Sequence, residues 1–294
     1  MTATITPVSQ YDEATLTRAV AGERMRMDTG TAPLKDILQA FADRDKFALD
    51  ALIATIGWSG DFSVDPGGSN SSFAVNVGAI SAAVLAGASS GYKVFYATAT
   101  TIGASKISGG GNLANSTWYY VYIWDNAGTL DYEISTTAPS SSRRTKTGDV
   151  TRRYLGCFRT TSAGAPIPVW ASRGRYVYDV GGVAMATLQV ISSGADASYT
   201  TKSCAALVPP HSRIARLRVS VTANATPAIT GSVDIQSNGS SAAGAHTVTA
   251  RQTALEISTD EIECVLDSQQ RIQYRVNGGG NAPTADAYVF GFEE

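Results

Sequence analysis

The chain has 294 residues, a mass of 30.7 kDa and a formal charge of −2 from 23 basic and 25 acidic side chains. That length suits about two domains, and without a surplus of Lys and Arg the chain lacks what neutralising nucleic-acid phosphates requires. No run of about 18 apolar residues occurs, which excludes a membrane-spanning helix; charged residues at 16%, against a usual ~25%, leave their places to Gly, Ser, Thr and Ala, as in short-turned all-β proteins.

Residues 1–30 show little periodicity and mixed charge, the pattern of an extended arm that orders on a neighbour. Met1 to Gln10 contain no basic stretch followed by an apolar one, so no secretion signal is read there. The four Asn-x-Ser/Thr sequons at Asn70, Asn115, Asn224 and Asn238 are accordingly read as loop polarity. Next comes the one convincing helical period: Leu34, Ile37, Leu38, Phe41, Ala48, Leu49, Leu52, Ile53 and Ile56 recur at three- and four-residue steps. Thr31 can cap this helix, Pro33 fits its first turn and Gly57 can end it. Its apolar stripe needs a cover, either the chain's own β domain or copies of itself in a short coiled coil. Leu38, Phe41, Leu49, Leu52 and Ile56 are the residues expected at that interface.

From Trp58 the pattern changes to period two with turn signals every eight to twelve residues. Trp118 to Trp124 is the densest strand, Asp125-Asn-Ala-Gly128 a turn, and Leu130 to Ile134 the returning strand of a hairpin. Further strands are expected at 92–98, 153–160, 167–170 and 175–180, with a polar loop over 135–147. Gly181-Gly182 reads as a boundary. Beyond it, strands are expected at 183–190, 214–222, 232–236, 247–250, 255–257, 262–266, 271–276 and 288–292. In 214–222, Ala215, Leu217, Val219 and Val221 alternate with Arg216, Arg218, Ser220 and Thr222, which places one face on a core and one in water. The expected fold is mainly β: an arm and a single amphipathic helix (1–57), a first antiparallel β domain (58–180), and a C-terminal β-sandwich or jelly roll (181–294).

The residues offer little chemistry. Cys157, Cys204 and Cys264 lie 47 and 60 residues apart, neither a disulfide framework nor a metal-knuckle spacing, and sit in apolar stretches as small buried hydrophobes. Gly87-Ala-Ser-Ser-Gly91 matches a nucleophile elbow only in letters, since a strand rather than a helix follows it. Gly109-Gly-Gly-Asn-Leu-Ala114 fits G-x-G-x-x-A without the βαβ unit that would give it meaning, and reads as a loop. His211, after Pro209-Pro210, and His246 both read as solvated. Asp260, Glu261, Glu263 and Asp267 supply clustered carboxylates, yet alternation puts Glu261, Glu263 and Asp267 on a wet face. The span 143–175 carries Arg143, Arg144, Lys146, Arg152, Arg153, Arg159, Arg173 and Arg175 against Asp149, a local charge of +7. It suits either an acidic partner or charges scattered over loops and edges. Trp118, Tyr120, Tyr122 and Trp124 share one strand face, as core or as a stacking platform for sugar rings. No catalytic residue, metal ligand or cofactor is expected, and no ligand-binding residue is named.

The stretch Asn115-Ser-Thr-Trp-Tyr-Tyr-Val-Tyr-Ile-Trp-Asp-Asn-Ala-Gly128, then 133–139 and 146–160, resembles a segment of tailed-bacteriophage tail fibres and related virion proteins. Ile272-Gln-Tyr-Arg-Val276 with Ala287-Tyr-Val-Phe-Gly-Phe292 is similar to the end of such fibres. The resemblance implies a non-enzymatic structural component on the virion surface, commonly a homotrimer. Its N-terminus, here residues 1–57, would attach to other virion proteins and its β domains would face the host, with a surface saccharide as ligand. Long shaft repeats are absent, which points to a short tail fibre, tail-tip or spike protein. The alternative is a head fibre or a capsid decoration protein that binds no receptor.

Overall fold

The structure, a computed structural model, describes residues 61–86, 92–142, 145–182, 184–222, 231–240, 246–250, 257–278 and 283–294. The expected arm and helix, with Leu38, Phe41, Leu49, Leu52 and Ile56, lie outside the described residues, as does the Gly87–Gly91 motif.

The described chain is mainly β, and its strand pairings are antiparallel. In chain order the strands are β1 (Phe62–Asp65), β2 (Ala74–Val77), β3 (Ile80–Ala86), β4 (Tyr92–Ala97), β5 (Thr100–Ile102), β6 (Trp118–Asn126), β7 (Thr129–Ser135), β8 (Thr145–Lys146), β9 (Asp149–Arg159) and β10 (Val169–Ser172). They continue as β11 (Arg175–Tyr178), β12 (Gln189–Gly194), β13 (Thr200–Ser203), β14 (Ile214–Thr222), β15 (Gly231–Ser237), β16 (His246–Ala250), β17 (Ile257–Val265), β18 (Arg271–Asn277) and β19 (Thr284–Glu293). One long sheet has the order β17-β14-β19-β11-β10-β1-β2-β5, with β12 also on β19. Two four-stranded sheets, β7-β6-β9-β8 and β13-β18-β15-β16, and the hairpin β3-β4 complete the set.

The Gly181-Gly182 turn follows β11, but the long sheet runs across it. Tyr176 pairs with Phe292 and Val177 with Gly291, which joins strands from both sides of the expected boundary in one hydrogen-bonded ladder. The crossing is close: a Cβ on Gly291 would lie 2.2 Å from the Tyr176 carbonyl oxygen, so glycine is what lets β19 approach β11 here.

Alternation decides the C-terminal half. Ala215, Leu217, Val219 and Val221 of β14 are fully buried, as are Val233 and Ile235 of β15 and Ile272 of β18, and β14 lies against β15 and β16 in a sandwich-like pair of sheets. Each Val or Leu so buried contributes roughly 1.5–3 kcal/mol relative to exposure. β6 behaves differently. Tyr119 to Ile123 are buried without a break, so both its faces are covered, which accounts for the dense aromatic run. The three cysteines are buried and free, as the apolar flanks required.

Two strand expectations change. Met185–Leu188 forms a 3₁₀ turn, closed by Thr187 N–H donating to the Ala184 carbonyl, and pairing begins only at Gln189. The separate strands at 255–257 and 262–266 become the single β17, because all nine of its residues find partners along β14; residues 255 and 256 lie outside the description. Strands β1, β2, β3, β5 and β13 fall where the sequence predicts none, and the short β8 (Thr145–Lys146) lies at the end of the expected polar loop 135–147, pairing with β9.

The β6–β7 hairpin closes through Ala127 and Gly128, both with positive φ (50° and 96°), as a two-residue type I′ loop demands. The Asp125 carboxylate accepts the Gly128 N–H at 2.6 Å. Alanine is strained in this left-handed region, where asparagine is favoured. Ala127→Asn should therefore stabilise the protein by about 1 kcal/mol, read as a higher urea midpoint at unchanged slope.

Candidate functional site

Several charges of the basic span find partners within the fold. Glu133 of β7 accepts from Lys146 Nζ at 2.6 Å and from Arg152 Nε at 2.8 Å, and Arg152 lies 3.7 Å over the Trp124 ring. Arg159 is spent on the carbonyls of Ala205 and Ser116, and Arg175 on Glu263 and Glu293. Arg143 and Arg144 lie outside the described residues. The acidic cluster is matched in the same way: Glu261 pairs with Arg218 at 2.8 Å, and Glu263 reaches Arg175 and Arg216. Such exposed pairs hold register more than they stabilise.

Asp267 departs from its expected wet position. It sits at the turn into β18, where its Oδ1 accepts the backbone N–H groups of Gln269 and Arg271 and its Oδ2 accepts Arg271 Nε and Asn238 Nδ2. Burial alone would raise this carboxyl, but the amide and guanidinium of Arg271, the Gln269 amide and the Asn238 carboxamide outweigh it and hold it at about 2.

His211 is the larger correction. It is not solvated: its side chain is 11% exposed and packs between Tyr120 and Tyr154, with ring centroids at 5.6 and 5.7 Å. Its Nε2 lies 2.8 Å from Glu294 Oε1. The same oxygen accepts the Tyr154 hydroxyl at 2.6 Å and the Cys157 thiol at 3.3 Å. A β-bulge makes the convergence. Val121 pairs with Gly156 but Tyr122 with Tyr154, so Leu155 is an extra residue in β9, and Tyr154 and Cys157, three apart, come to one face. Burial, then the nearby Glu294 carboxylate, keeps the Cys157 thiol far from ionising on its own. His246, by contrast, is exposed, although it opens β16 rather than lying in a loop.

The aromatic stripe of β6 is core rather than a platform. Tyr120 and Tyr122 are buried, and the half-buried Trp118 stands edge-on to Phe292 at 5.9 Å. Among the described residues, the aromatic ring most exposed to solvent is elsewhere, at Trp170 of β10, 63% exposed. Register places it in a row that crosses eight strands: Thr101, Asn76, Ser63, Trp170, Val177, Gly291, Arg216 and Glu263. Around it lies a groove of ≈ 670 Å³ lined by Asp61, Ser63, Asn76, Thr101, Trp170 and Arg175, among others. Thr101 donates to Asn76 Oδ1 at 2.7 Å and Asn76 Nδ2 to Ser63 Oγ at 3.2 Å, which fixes three polar side chains on one side of the indole. Trp170 fell inside a strand expected from the sequence; its outward face becomes readable only from the pairing of β1 with β10. Neither a protein-family model nor a curated protein matches the chain.

The Asp267 turn gives a pH prediction. A carboxyl held at about 2 against an ordinary 3.8 contributes stability that is fully present above 3.8 and lost as pH falls through 2. Asp267→Asn should lower the urea midpoint at pH 7, and its deficit against the parent should shrink steadily between pH 4 and pH 2.

Proposed function

We propose that the protein is a non-enzymatic structural component of a tailed-bacteriophage virion, a short tail fibre or a tail-tip or spike protein that recognises a host-surface saccharide. In this reading residues 1–57 attach to other virion proteins and form the seam of a homotrimer. The β body from 58 onward, with a jelly-roll type C-terminal half from 181, is displayed outside the particle.

The observation that carries the ligand class is the groove at Trp170. An exposed indole can stack on the apolar face of a pyranose ring, and Ser63, Asn76 and Thr101, one strand apart at about 4.8 Å, offer hydroxyl and amide groups at the spacing of ring substituents. The sequence resemblance over 115–160 and at the C-terminus supports the virion setting.

Labelled full-length chain should adsorb to cells of a susceptible bacterium and to their purified surface polysaccharide, and Trp170→Ala should weaken this about tenfold, the effect of losing roughly 1.4 kcal/mol of stacking. An intact chain that adsorbs to no such surface would instead favour the decoration-protein reading. The trimer is tested by light scattering: a native mass near three chains that falls to one on removal of residues 1–57 is the expected result.

A further inference from the structure

We propose that Cys157, His211 and Glu294, with Tyr154 beside them, bind one divalent cation of the zinc class. The proposal does not rest on the groove or on the virion reading. The donor atoms Cys157 Sγ, His211 Nε2 and a Glu294 carboxylate oxygen all lie within 4.8 Å of one another. A thiolate, an imidazole and a carboxylate are the ligand types that zinc takes in protein sites, with the fourth position left to a water or a further oxygen. The Tyr154 hydroxyl, 3.4 Å from His211 Nε2 and 2.6 Å from Glu294 Oε1, stands where it can supply or orient that oxygen.

Bond lengths of about 2.0–2.3 Å around a tetrahedral ion place donor atoms roughly 3.3–3.7 Å apart. The carboxylate oxygen is 2.8 Å from His211 Nε2 and 3.3 Å from Cys157 Sγ, and with all three atoms within 4.8 Å of one another, side-chain shifts of about an ångström admit the ion. The backbone that carries the ligands is tied down by hydrogen bonds. Glu294 N–H donates to the Gly174 carbonyl, the Ser212 hydroxyl donates to the Glu293 carbonyl, and the bulge at Leu155 fixes the Cys157 direction.

Charge argues in the same direction. The Tyr154 hydroxyl and the Cys157 thiol both donate to one oxygen of a carboxylate whose side chain is 9% exposed, and His211 Nε2 meets the same oxygen. Binding releases the Cys157 thiol proton to solvent, leaves the ring proton of His211 on Nδ1 so that the Nε2 lone pair is free, and forms metal–sulfur, metal–nitrogen and metal–oxygen bonds, with no change of oxidation state. A doubly charged cation then meets one thiolate and one carboxylate, so the loaded centre carries no net charge.

The test uses the full chain, reduced and stripped with a chelator, then titrated with cobalt(II) as an optical stand-in and with zinc. Elemental analysis should find one zinc per chain, and cobalt should give a thiolate-to-metal charge-transfer band in the near ultraviolet. Cys157→Ser should abolish the band, His211→Gln and Glu294→Gln should weaken binding at least tenfold, and Cys264→Ser should leave it intact. A folded parent chain, judged by circular dichroism, that shows no band at millimolar cobalt overturns the proposal. So does a band that survives Glu294→Gln and His211→Gln but is lost in Cys264→Ser. Because the parent titration decides the matter alone, a Cys157→Ser chain that fails to fold does not protect it.

Discussion

The insertion of β19 between β14 and β11 is the constraint on which the rest of the molecule depends. A strand in the middle of a sheet must satisfy hydrogen bonds along both edges, and β19 does so against β14 over its length, with β11 on its other edge near one end and β12 near the other. Through it the sandwich-like C-terminal half and the β1-β2-β5 strands share one ladder. Its last turn of chain also delivers Phe292 to a stack on Tyr176 at 4.4 Å, and Glu294 to His211, Cys157 and Tyr154. The inner aromatic layer and the candidate cation site are two results of one pairing.

The two faces of the long sheet divide the work. Inward, aromatic and aliphatic side chains meet the β6–β9 layer, in which Tyr119–Ile123 and Tyr154–Phe158 are covered on both sides. Outward, the row from Thr101 to Glu263 is polar at its ends and apolar only at Trp170 and Val177. Folding sets several of the charges that the sequence concentrates in one span, those of Lys146, Arg152 and Arg175, against carboxylates from other strands. A patch argument based on chain order would have placed an acidic partner where Glu133 and Glu263 already stand.

Much of the C-terminal half was readable because Ala215, Leu217, Val219 and Val221, or Ile272, Tyr274 and Val276, alternate strictly with polar residues. That pattern is imposed by a sheet wet on one face. Strands such as Thr200–Ser203 and Thr100–Ile102 carry no such contrast and owe their existence to a neighbouring ladder, a long-range fact. The site residues show the same limit. His211 follows two prolines and looks like a loop residue, and nothing local indicates that Glu294 will reach it. Strict alternation would send Tyr154 and Cys157 to opposite faces; only the extra residue at Leu155, which exists relative to the partner strand, brings them together.

The pairing of Val177 with Gly291 spans more than a hundred residues of chain. During synthesis β10 and β11 therefore emerge long before the strand that completes them, and β11 waits with a row of unfilled backbone donors and acceptors. Non-local closure of this kind is slow, and an open edge rich in tyrosine is a template for another copy of itself. The protein's yield in the cell should thus be governed by how quickly the last strand arrives and by what shields β11 until it does. Final stability enters only after that strand is in place.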